Sequence, residues 1–442
     1  MSRSGSLAVF TYPQRIAVDK PPDLPKYAYP GRPVELDSVY PPPESALRSK
    51  PDLPAGQRKP IWDGDDRLPY FLTTHIVPAA YIRDTPDESL PDTTPKGTQS
   101  REERKAYASN VEAKLRGMRI EYETAGPKRH EKVLWVFEPM ILSLLVSPKH
   151  QSLVEEIWVW DMYNQGDSAL LNKGNMNTFM HTSPTRDLLT FLLYFLPLSP
   201  TLRSLPTHLP QIEHSEVQRR LKTGFLGADS PRQPMCGVGH SFGSVFSMLA
   251  AITHPALFTS LFVMDPVIIY PRPNFYSTPQ FLTLGAIVRR SFWKTREEAQ
   301  KELLRSPFFR GWDRKVLELY IEAGMYRDED EHVFRLKTPP IQEAIGFNDA
   351  EIGSPEAYVR LWRNELDQRI TLKWVMPDPR KSELDSRPDA SQQRVWLRPG
   401  NSTNIWVEGL GHLMVHEKPG VLGDELGKFL TEMSMNDSKA KL

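Results

Sequence analysis

The chain has 442 residues and carries 55 basic and 55 acidic side chains, so its formal net charge is zero. It has no basic surplus to neutralise phosphates, which argues against nucleic acid as its main partner. Its single cysteine, Cys236, excludes an internal disulfide framework and a multi-cysteine zinc site, and is typical of a reducing compartment. The longest strongly apolar stretch, Leu188–Leu198, falls short of the about 20 residues that cross a bilayer, so no membrane span is expected.

Proline divides the chain into two parts. Residues 1–100 hold 17 of the 41 prolines, and the first sixty residues show neither strand-like nor helix-like periodicity. Proline removes a backbone donor and blocks both strand ladders and helix interiors. We therefore expect residues 1–68 to form an extended or disordered arm. A proline-rich docking ligand is the alternative interpretation.

From residue 69 to residue 434, short apolar runs alternate with helix-length stretches. This alternation predicts an α/β fold, with a mainly parallel sheet flanked by helices. The predicted strands are Phe71–Val77, Met118–Glu123, Lys132–Phe137, Glu156–Asp161, Met235–Gly239, Leu261–Met264, Ile370–Val375 and Asn404–Glu408. The predicted helices are Arg101–Leu115, Pro184–Phe195, Gly243–Thr253 and Lys418–Met433.

A long insertion separates the strand that ends at Met264 from the strand that begins near Ile370. A crossover between parallel strands needs only about a dozen residues, far fewer than are present here. We interpret residues 270–365 as an inserted, mostly helical lid over one edge of the sheet. It is rich in aromatic and leucine side chains, which suit an apolar substrate. An ordinary helical crossover is the alternative.

The sharpest motif is GHSFG at residues 239–243, which follows an apolar strand and precedes a helix of small residues. In G-x-S-x-G the serine occupies a strained strand-to-helix turn that lifts its hydroxyl clear of the sheet. Glycines on either side of the serine let the helix approach the strand. The motif predicts Ser241 as a nucleophile. The alternative is a glycine-rich turn whose serine only caps the next helix.

A serine nucleophile needs a base, and the base needs an acid that orients it. In a site built on this motif the chain order is serine, acid, histidine. His412, in a glycine-flanked loop after the last predicted strand, is the predicted base, and His416 is the weaker alternative. Asp265, which ends a predicted strand, is the predicted acid. Asp378, which follows the next predicted strand, is its rival.

The oxyanion hole is expected to combine the backbone N–H of Phe242 with an N–H from the loop after an earlier strand. A His-Gly-type loop is expected after Lys132–Phe137, but the sequence there is EPM, at residues 138–140. Loss of one donor typically costs about 2.7–4 kcal/mol of transition-state stabilisation. Either an N–H from elsewhere substitutes for the missing donor, or the activity is impaired.

The chain resembles the α/β-hydrolases and, more narrowly, the fungal peroxisomal lipase-like hydrolases, including those of host-selective toxin pathways. The resemblance spans roughly Phe71 to Met433 and rests on the segments Thr73–Asp84, Ile157–Gly174, Gly237–Ser244, Leu261–Ile268 and Glu408–Pro419. It implies a serine hydrolase of ester or thioester bonds in acyl substrates, with Ser241 as nucleophile, His412 as base and Asp265 as acid. It also implies a role in peroxisomal lipid metabolism or secondary metabolism. The missing His-Gly loop departs from the family pattern.

The last three residues, Ala440-Lys441-Leu442, are a conservative variant of the S-K-L peroxisomal address. Residues 435–442 are therefore predicted to form a tail that binds the peroxisomal import receptor.

The sequence contains no Walker loop, no G-x-G-x-x-G and no histidine–carboxylate cluster, so no cofactor or metal is expected. The competing hypothesis is a catalytically impaired hydrolase-fold protein that binds an acyl ligand or a protein partner. The missing His-Gly loop motivates it.

Overall fold

The structure is a computed structural model that describes most of the chain from residue 138 onward and shorter segments before it. The described residues are 7–12, 17–22, 39–52, 73–81, 102–108, 130–131, 138–174, 176, 182–199, 205–225, 235–271, 281–381, 384 and 387–440. The strands are β1 Val9–Phe10, β2 Val77–Pro78, β3 His130–Glu131, β4 Cys236–His240, β5 Ser260–Met264, β6 Phe292–Trp293, β7 Met325–Asp328, β8 Val333–Leu336, β9 Thr371–Met376 and β10 Ser402–Val407.

The helices, in chain order, are α1 Glu44–Arg48, α2 Glu138–Val146, α3 Gly166–Leu171, α4 Thr182–Thr190, α5 His214–Thr223, α6 Phe242–Thr253, α7 Phe281–Val288, α8 Arg296–Leu303, α9 Pro307–Arg310, α10 Arg314–Ala323, α11 Pro340–Trp362, α12 Ala390–Val395, α13 Met414–Glu417 and α14 Pro419–Ala440. Residues 102–108 are also helical, and α4 continues into a π turn over Phe191–Phe195. None of these helices is long and apolar enough to cross a membrane.

The central sheet has the order β1-β10-β9-β5-β4. Strands β4, β5, β9 and β10 pair in parallel, and β1 pairs with β10 in the antiparallel direction. Side chains along β5 alternate between the two faces, as the strand period requires. Leu261 and Val263 enter the core on one face, against α4 and α6. Phe262 and Met264 enter the core on the other face, against α2 and α14. The fold is therefore an α/β layer structure, as predicted.

The four predicted strands that lead to the site match β4, β5, β9 and β10 to within two residues at each end. The predicted strand Glu156–Asp161 is wrong, because residues 156–160 form no ladder and Asp161 makes only a single bridge. A strand needs a neighbour to satisfy its backbone groups, and no neighbouring ladder is described for this segment. The predicted strand Phe71–Val77 shortens to β2. Met118–Glu123 and Lys132–Phe137 lie outside the described residues.

Three predicted helices correspond to observed ones. Pro184–Phe195 falls within α4 and its π turn, and Gly243–Thr253 falls within α6. Lys418–Met433 falls within α14 except for Lys418. Of the predicted helix Arg101–Leu115, residues 102–108 are helical and the rest lies outside the described residues. Helix α14 extends to Ala440, so six of the eight residues of the predicted tail continue that helix.

Three described segments of the proline-rich arm contact the hydrophobic core, and the sequence did not predict these contacts. In β1, Phe10 pairs with Trp406 of β10, and the two rings stack with centroids 4.4 Å apart. The Tyr12 N–H donates to the Asn404 side chain over 2.8 Å. Farther along the arm, the Tyr358 hydroxyl donates to the carbonyl of Asp19. The remainder of residues 1–68 lies outside the described residues.

The inserted segment contains helices α7 to α11 and a three-stranded antiparallel sheet with the order β6-β8-β7. The sequence predicted the helices but not this sheet. A buried ion pair joins Lys337, just after β8, to Asp167 of α3, with Nζ and Oδ1 2.7 Å apart. The Thr338 hydroxyl accepts from the N–H of Gly166 over 2.9 Å. The insertion is therefore anchored on the first turn of α3.

The two glycines of the GHSFG motif have different surroundings, although the sequence assigned them the same role. A Cβ on Gly239 would lie 2.6 Å from the backbone N and Cα of Ser244. A Cβ on Gly243 would meet no atom within 4 Å. Only Gly239 is therefore required for the close approach of α6 to β4.

We predict that Gly239→Ala lowers the free energy of unfolding by about 2 kcal/mol or more, because the added methyl pushes α6 away from β4. Gly243→Ala is the matched control. It places alanine inside a helix and should be neutral or stabilising by up to about 1 kcal/mol. Denaturant unfolding of both variants measures the difference. Equal destabilisation by the two substitutions would contradict the prediction.

Candidate active site

Ser241 lies in the turn between β4 and α6. Its backbone has φ 56° and ψ −124°, a left-handed conformation that costs a residue other than glycine about 1–3 kcal/mol. Two hydrogen bonds to the neighbouring strand end hold it there. The Ser241 N–H donates to the carbonyl of Met264 over 2.9 Å, and the Val267 N–H donates to the carbonyl of Ser241 over 3.3 Å. The strained turn predicted from the motif is therefore present.

Three side chains that the sequence singled out lie in one hydrogen-bonded line. The Oγ of Ser241 is 2.9 Å from Nε2 of His412. The Nδ1 of His412 is 2.7 Å from Oδ2 of Asp265. Asp265 can only accept when it is ionised, so Nδ1 carries the proton and Nε2 is free to accept the proton of the serine. The line has the connectivity of a nucleophile, a base and an orienting acid.

Asp265 directly follows β5 and is completely buried. Its carboxylate also pairs with Arg394 of α12, with Oδ1 and Nη1 2.9 Å apart. The same guanidinium donates to the carbonyl of Pro266 over 2.7 Å. Burial alone raises the pKa of Asp265, but the charge of Arg394 and the hydrogen bond from His412 outweigh burial, so the pKa lies below its ordinary value. The carboxyl group is therefore ionised at neutral pH.

Asp378, the rival acid, is buried at the end of β9 but has no hydrogen bond to His412 in the described structure. Its carboxylate accepts from the N–H of Gly409 over 2.8 Å and from the guanidinium of Arg380 over 2.6 and 2.9 Å. Its own N–H donates to the carbonyl of Leu410. Arg380 holds the pKa of Asp378 well below its usual range. Asp378 therefore clamps the loop that leads to His412 and lies outside the line of three side chains.

His416, the alternative base, lies in α13 and faces the insertion. Its ring packs on Trp312 with centroids 4.3 Å apart, and its carbonyl accepts from the N–H of Asp313 over 2.7 Å. Burial, and then the neighbouring His412, lower the pKa of His416 to about 4, so its ring is neutral near neutral pH. No described hydrogen bond joins it to Ser241. His416 instead connects the insertion to the segment that carries His412.

The predicted oxyanion donor Phe242 is the first residue of α6. The first N–H groups of a helix lack partners within the helix and concentrate positive charge, which suits a developing anion. For the second donor, residues 138–140 belong to α2, so the helix begins where a His-Gly loop was expected. Residues 132–137, which precede it, lie outside the described residues. The second donor stays unassigned.

Apolar side chains surround the start of α6 on the side of the insertion. Phe242 and Phe246 lie with ring centroids 4.4 Å apart, and Trp160 meets Phe246 edge-on. Side chains of α7 and α11 join the same cluster, namely Ala286, Ile287, Ile341, Ala344 and Ile345. The insertion therefore places an apolar wall beside the residue that follows Ser241. Among the described residues, no group of three or more potential metal ligands occurs.

Sequence reasoning missed two residues of this site. Arg394 lies in a polar run, SQQRVWLRPG at residues 391–400, which carries no signal that the arginine is buried beside an acid. His240 occupies a position of G-x-S-x-G that the motif leaves open, yet its ring bonds to the backbone of His412. Both contacts join parts of the chain that are more than a hundred residues apart, so local patterns could not reveal them.

Comparison with known proteins agrees with this architecture. The model of the family described as "Alpha/beta hydrolase family" matches residues 135–425. The chain belongs to the alpha/beta hydrolase family. The chain shares its fold with the peroxisomal alpha-beta-hydrolase Lpx1 of Saccharomyces cerevisiae. The TM-score is 0.54 at 15% sequence identity, and the match covers 82% of this chain and 89% of that one.

Curated fungal proteins share parts of the sequence. An abhydrolase domain-containing protein of Alternaria alternata, ACTT2, is 32% identical over 123 residues, which are 26% of this chain and 45% of that protein. The type I acyl-CoA thioesterase mpaH of Penicillium brevicompactum is 23% identical over 330 residues, which are 72% of this chain and 64% of that protein. The chain thus spans less than two thirds of the length of these relatives.

The two candidate acids are distinguished by the rate at which a fluorophosphonate labels Ser241. We predict that Asp265→Asn lowers this rate by about 10³- to 10⁴-fold, because His412 then loses its tautomer and its orientation. Asp378→Asn is the matched control. Asparagine still accepts from Gly409, so the rate should fall by no more than about tenfold. A larger loss in Asp378→Asn than in Asp265→Asn would reverse the assignment.

Proposed function

We propose that this member of the alpha/beta hydrolase family is a serine hydrolase that cleaves ester or thioester bonds of acyl substrates through an acyl-enzyme. One observation carries the proposal, namely the hydrogen-bonded line from Ser241 through His412 to the buried Asp265. Enzymes of this fold that open epoxides or remove halides carry an aspartate at the nucleophile position, so the serine argues against both reactions.

In the proposed mechanism, Ser241 Oγ attacks the acyl carbonyl while His412 Nε2 takes its proton. The tetrahedral intermediate collapses when His412 returns that proton to the leaving oxygen or sulfur, which leaves the acyl group on the serine. Water, deprotonated by His412, then releases the carboxylic acid. Asp265 remains ionised throughout and stabilises the imidazolium that forms twice in the cycle. Arg394 favours this ionised state.

The oxyanion would be stabilised by the N–H of Phe242 and by one further donor. Two donors are the usual arrangement, and a single donor leaves a deficit of about 2.7–4 kcal/mol, or roughly 10²- to 10³-fold in rate. Without a second donor, the proposed activity would be lower by that factor.

Two observations support a substrate that carries an apolar acyl chain. The aromatic and aliphatic cluster of α6, α7 and α11 lies beside the residue that follows Ser241. Curated relatives include a type I acyl-CoA thioesterase, which makes a thioester a leading substrate class. The resemblance to hydrolases of fungal toxin pathways makes an acyl intermediate of secondary metabolism a suitable substrate.

A second candidate function is that of a non-catalytic protein that binds an acyl ligand or a protein partner. The start of α2 at Glu138, where a His-Gly loop was expected, favours it. Covalent labelling by a fluorophosphonate separates the two functions, because labelling requires an activated serine and not only a pocket. A chain that retains acyl ligands but resists labelling would be a binding protein.

We predict that the wild-type chain hydrolyses nitrophenyl esters of about two to sixteen carbons and that Ser241→Ala lowers kcat by about 10⁴-fold or more. Ser247→Ala is the matched control, since its hydroxyl donates to the carbonyl of Gly243 in the same helix, and it should retain activity. The length of the acyl chain that gives the highest kcat/KM indicates the length of the apolar pocket. Wild type without turnover of any ester would overturn the proposed function.

We further propose that the protein acts in peroxisomes. The proposal rests on the final Ala-Lys-Leu tripeptide and on the fold shared with a peroxisomal hydrolase. A fluorescent protein fused ahead of this chain, with Leu442 at the carboxyl end, should give punctate fluorescence that coincides with a peroxisomal marker. Deletion of Leu442 should leave the fusion in the cytosol. Punctate fluorescence that survives the deletion would contradict import through this tripeptide.

A further inference from the structure

His240 joins the strand that carries the nucleophile to the loop that carries the base. It ends β4 and is covalently bonded to Ser241. Its Nε2 lies 2.7 Å from the backbone carbonyl oxygen of His412. A carbonyl oxygen only accepts, so Nε2 of His240 carries the proton and donates. The ring therefore bridges the two segments whose side chains must meet.

The ring of His240 is also packed against the rings of His412 and His416. Its centroid lies 5.0 Å from that of His412 and 6.2 Å from that of His416. Burial, and then the charges of these two neighbours, lower the pKa of His240 to about 3. It therefore stays neutral when His412 carries the proton taken from the serine.

The loop before His412 is anchored at Gly409 and Leu410 by Asp378, whose own N–H donates to the carbonyl of Leu410 over 2.9 Å. Asp378 accepts from the N–H of Gly409, three residues earlier, and the Gly411 N–H reaches Glu417 only at 3.4 Å. Among the described residues, the bond from His240 is the hydrogen bond made to the His412 backbone, while Asp265 and Ser241 bond to the His412 side chain. A displacement of about 1 Å between reacting groups can cost roughly 10²-fold in rate.

We propose that His240 is a positioning residue, which sets the distance between Ser241 and His412 by donating a hydrogen bond from Nε2 to the His412 carbonyl. In this role it does not carry the transferred proton, which passes between Ser241 Oγ and His412 Nε2. Since Nε2 is engaged as a donor, it cannot accept the proton of the serine. This inference rests on the proposed function, because it assigns a role within the same site.

Two variants of similar side-chain length test the hydrogen bond. His240→Gln keeps an N–H donor near the position of Nε2, whereas His240→Met has none. His240→Met should lower kcat for a nitrophenyl ester by about 10- to 100-fold with KM changed less than about threefold. His240→Gln should restore kcat to within about fivefold of wild type. His214→Gln, on the exposed start of α5, is the control and should leave kcat unchanged.

Melting temperatures of the variants must accompany the kinetics. If His240→Met and His240→Gln have similar melting temperatures and equal kcat values, the proposal is overturned. This holds whether both kcat values equal that of the wild type or both are lower. A rise in KM without loss of kcat would also overturn it, since that pattern indicates substrate contact and not positioning of the base.

A crystallographic comparison tests the positioning independently of turnover. In the wild type and in His240→Gln the distance from Ser241 Oγ to His412 Nε2 should stay within hydrogen-bond range, and in His240→Met it should exceed 3.5 Å. If the wild type hydrolyses no ester, the proposed function fails while this distance still decides the role of His240. An unchanged distance in His240→Met would refute that role.

Discussion

The buried carboxylate of Asp265 is the constraint on which the candidate site depends. A carboxylate removed from water is unfavourable by several kcal/mol unless cations and donors surround it. Here Arg394 on one side and His412 on the other supply that compensation. Removing one partner of such a buried pair typically destabilises a protein by about 3–5 kcal/mol. The electrostatic requirement of Asp265 therefore fixes α12 and the His412 loop together.

Two backbone irregularities lie side by side at the ends of β4 and β5. Both Ser241 and Asp265 have positive φ, at 56° and 34°. Each turn is bonded to the next strand of the sheet, because the Ser241 N–H donates to the carbonyl of Met264 in β5 and the Asp265 N–H donates to the carbonyl of Val375 in β9. Each strained turn is thus held by the neighbouring parallel strand. The sheet orients the side chains of Ser241 and Asp265, and its hydrogen bonds maintain the unfavourable backbone conformations that this orientation requires.

The sequence was informative wherever a property depends on neighbours in the chain. Apolar runs located β4, β5, β9 and β10, and the GHSFG motif located the turn at Ser241. Because parallel strands end at one edge of the sheet, Asp265 and His412 could also be placed near Ser241. The sequence favoured Asp265 over Asp378 but could not exclude Asp378, since both follow strands. The choice depends on which carboxylate faces the imidazole, and packing decides that.

Contacts between distant segments were beyond sequence reasoning. The partner of Asp265 lies on α12, and the three-stranded sheet of the insertion is built from strands of two to four residues that carry little periodicity. A short strand is defined by its pairing and not by its composition. The second oxyanion donor also stays a prediction, because residues 138–140, where its loop was expected, belong to α2.

Strand β1 has a consequence for how the protein is made. Val9 pairs with Val407, so the two partners of this ladder leave the ribosome about 400 residues apart. At roughly 5–20 residues per second, the arm is present for about 20–80 seconds before β10 is synthesised. Its high proline content suits that interval, since proline disfavours aggregation of an unpaired segment. When β10 joins the sheet, β1 has already been synthesised and can pair with the outer edge of β10 at once. That edge is thus protected from pairing with another nascent chain.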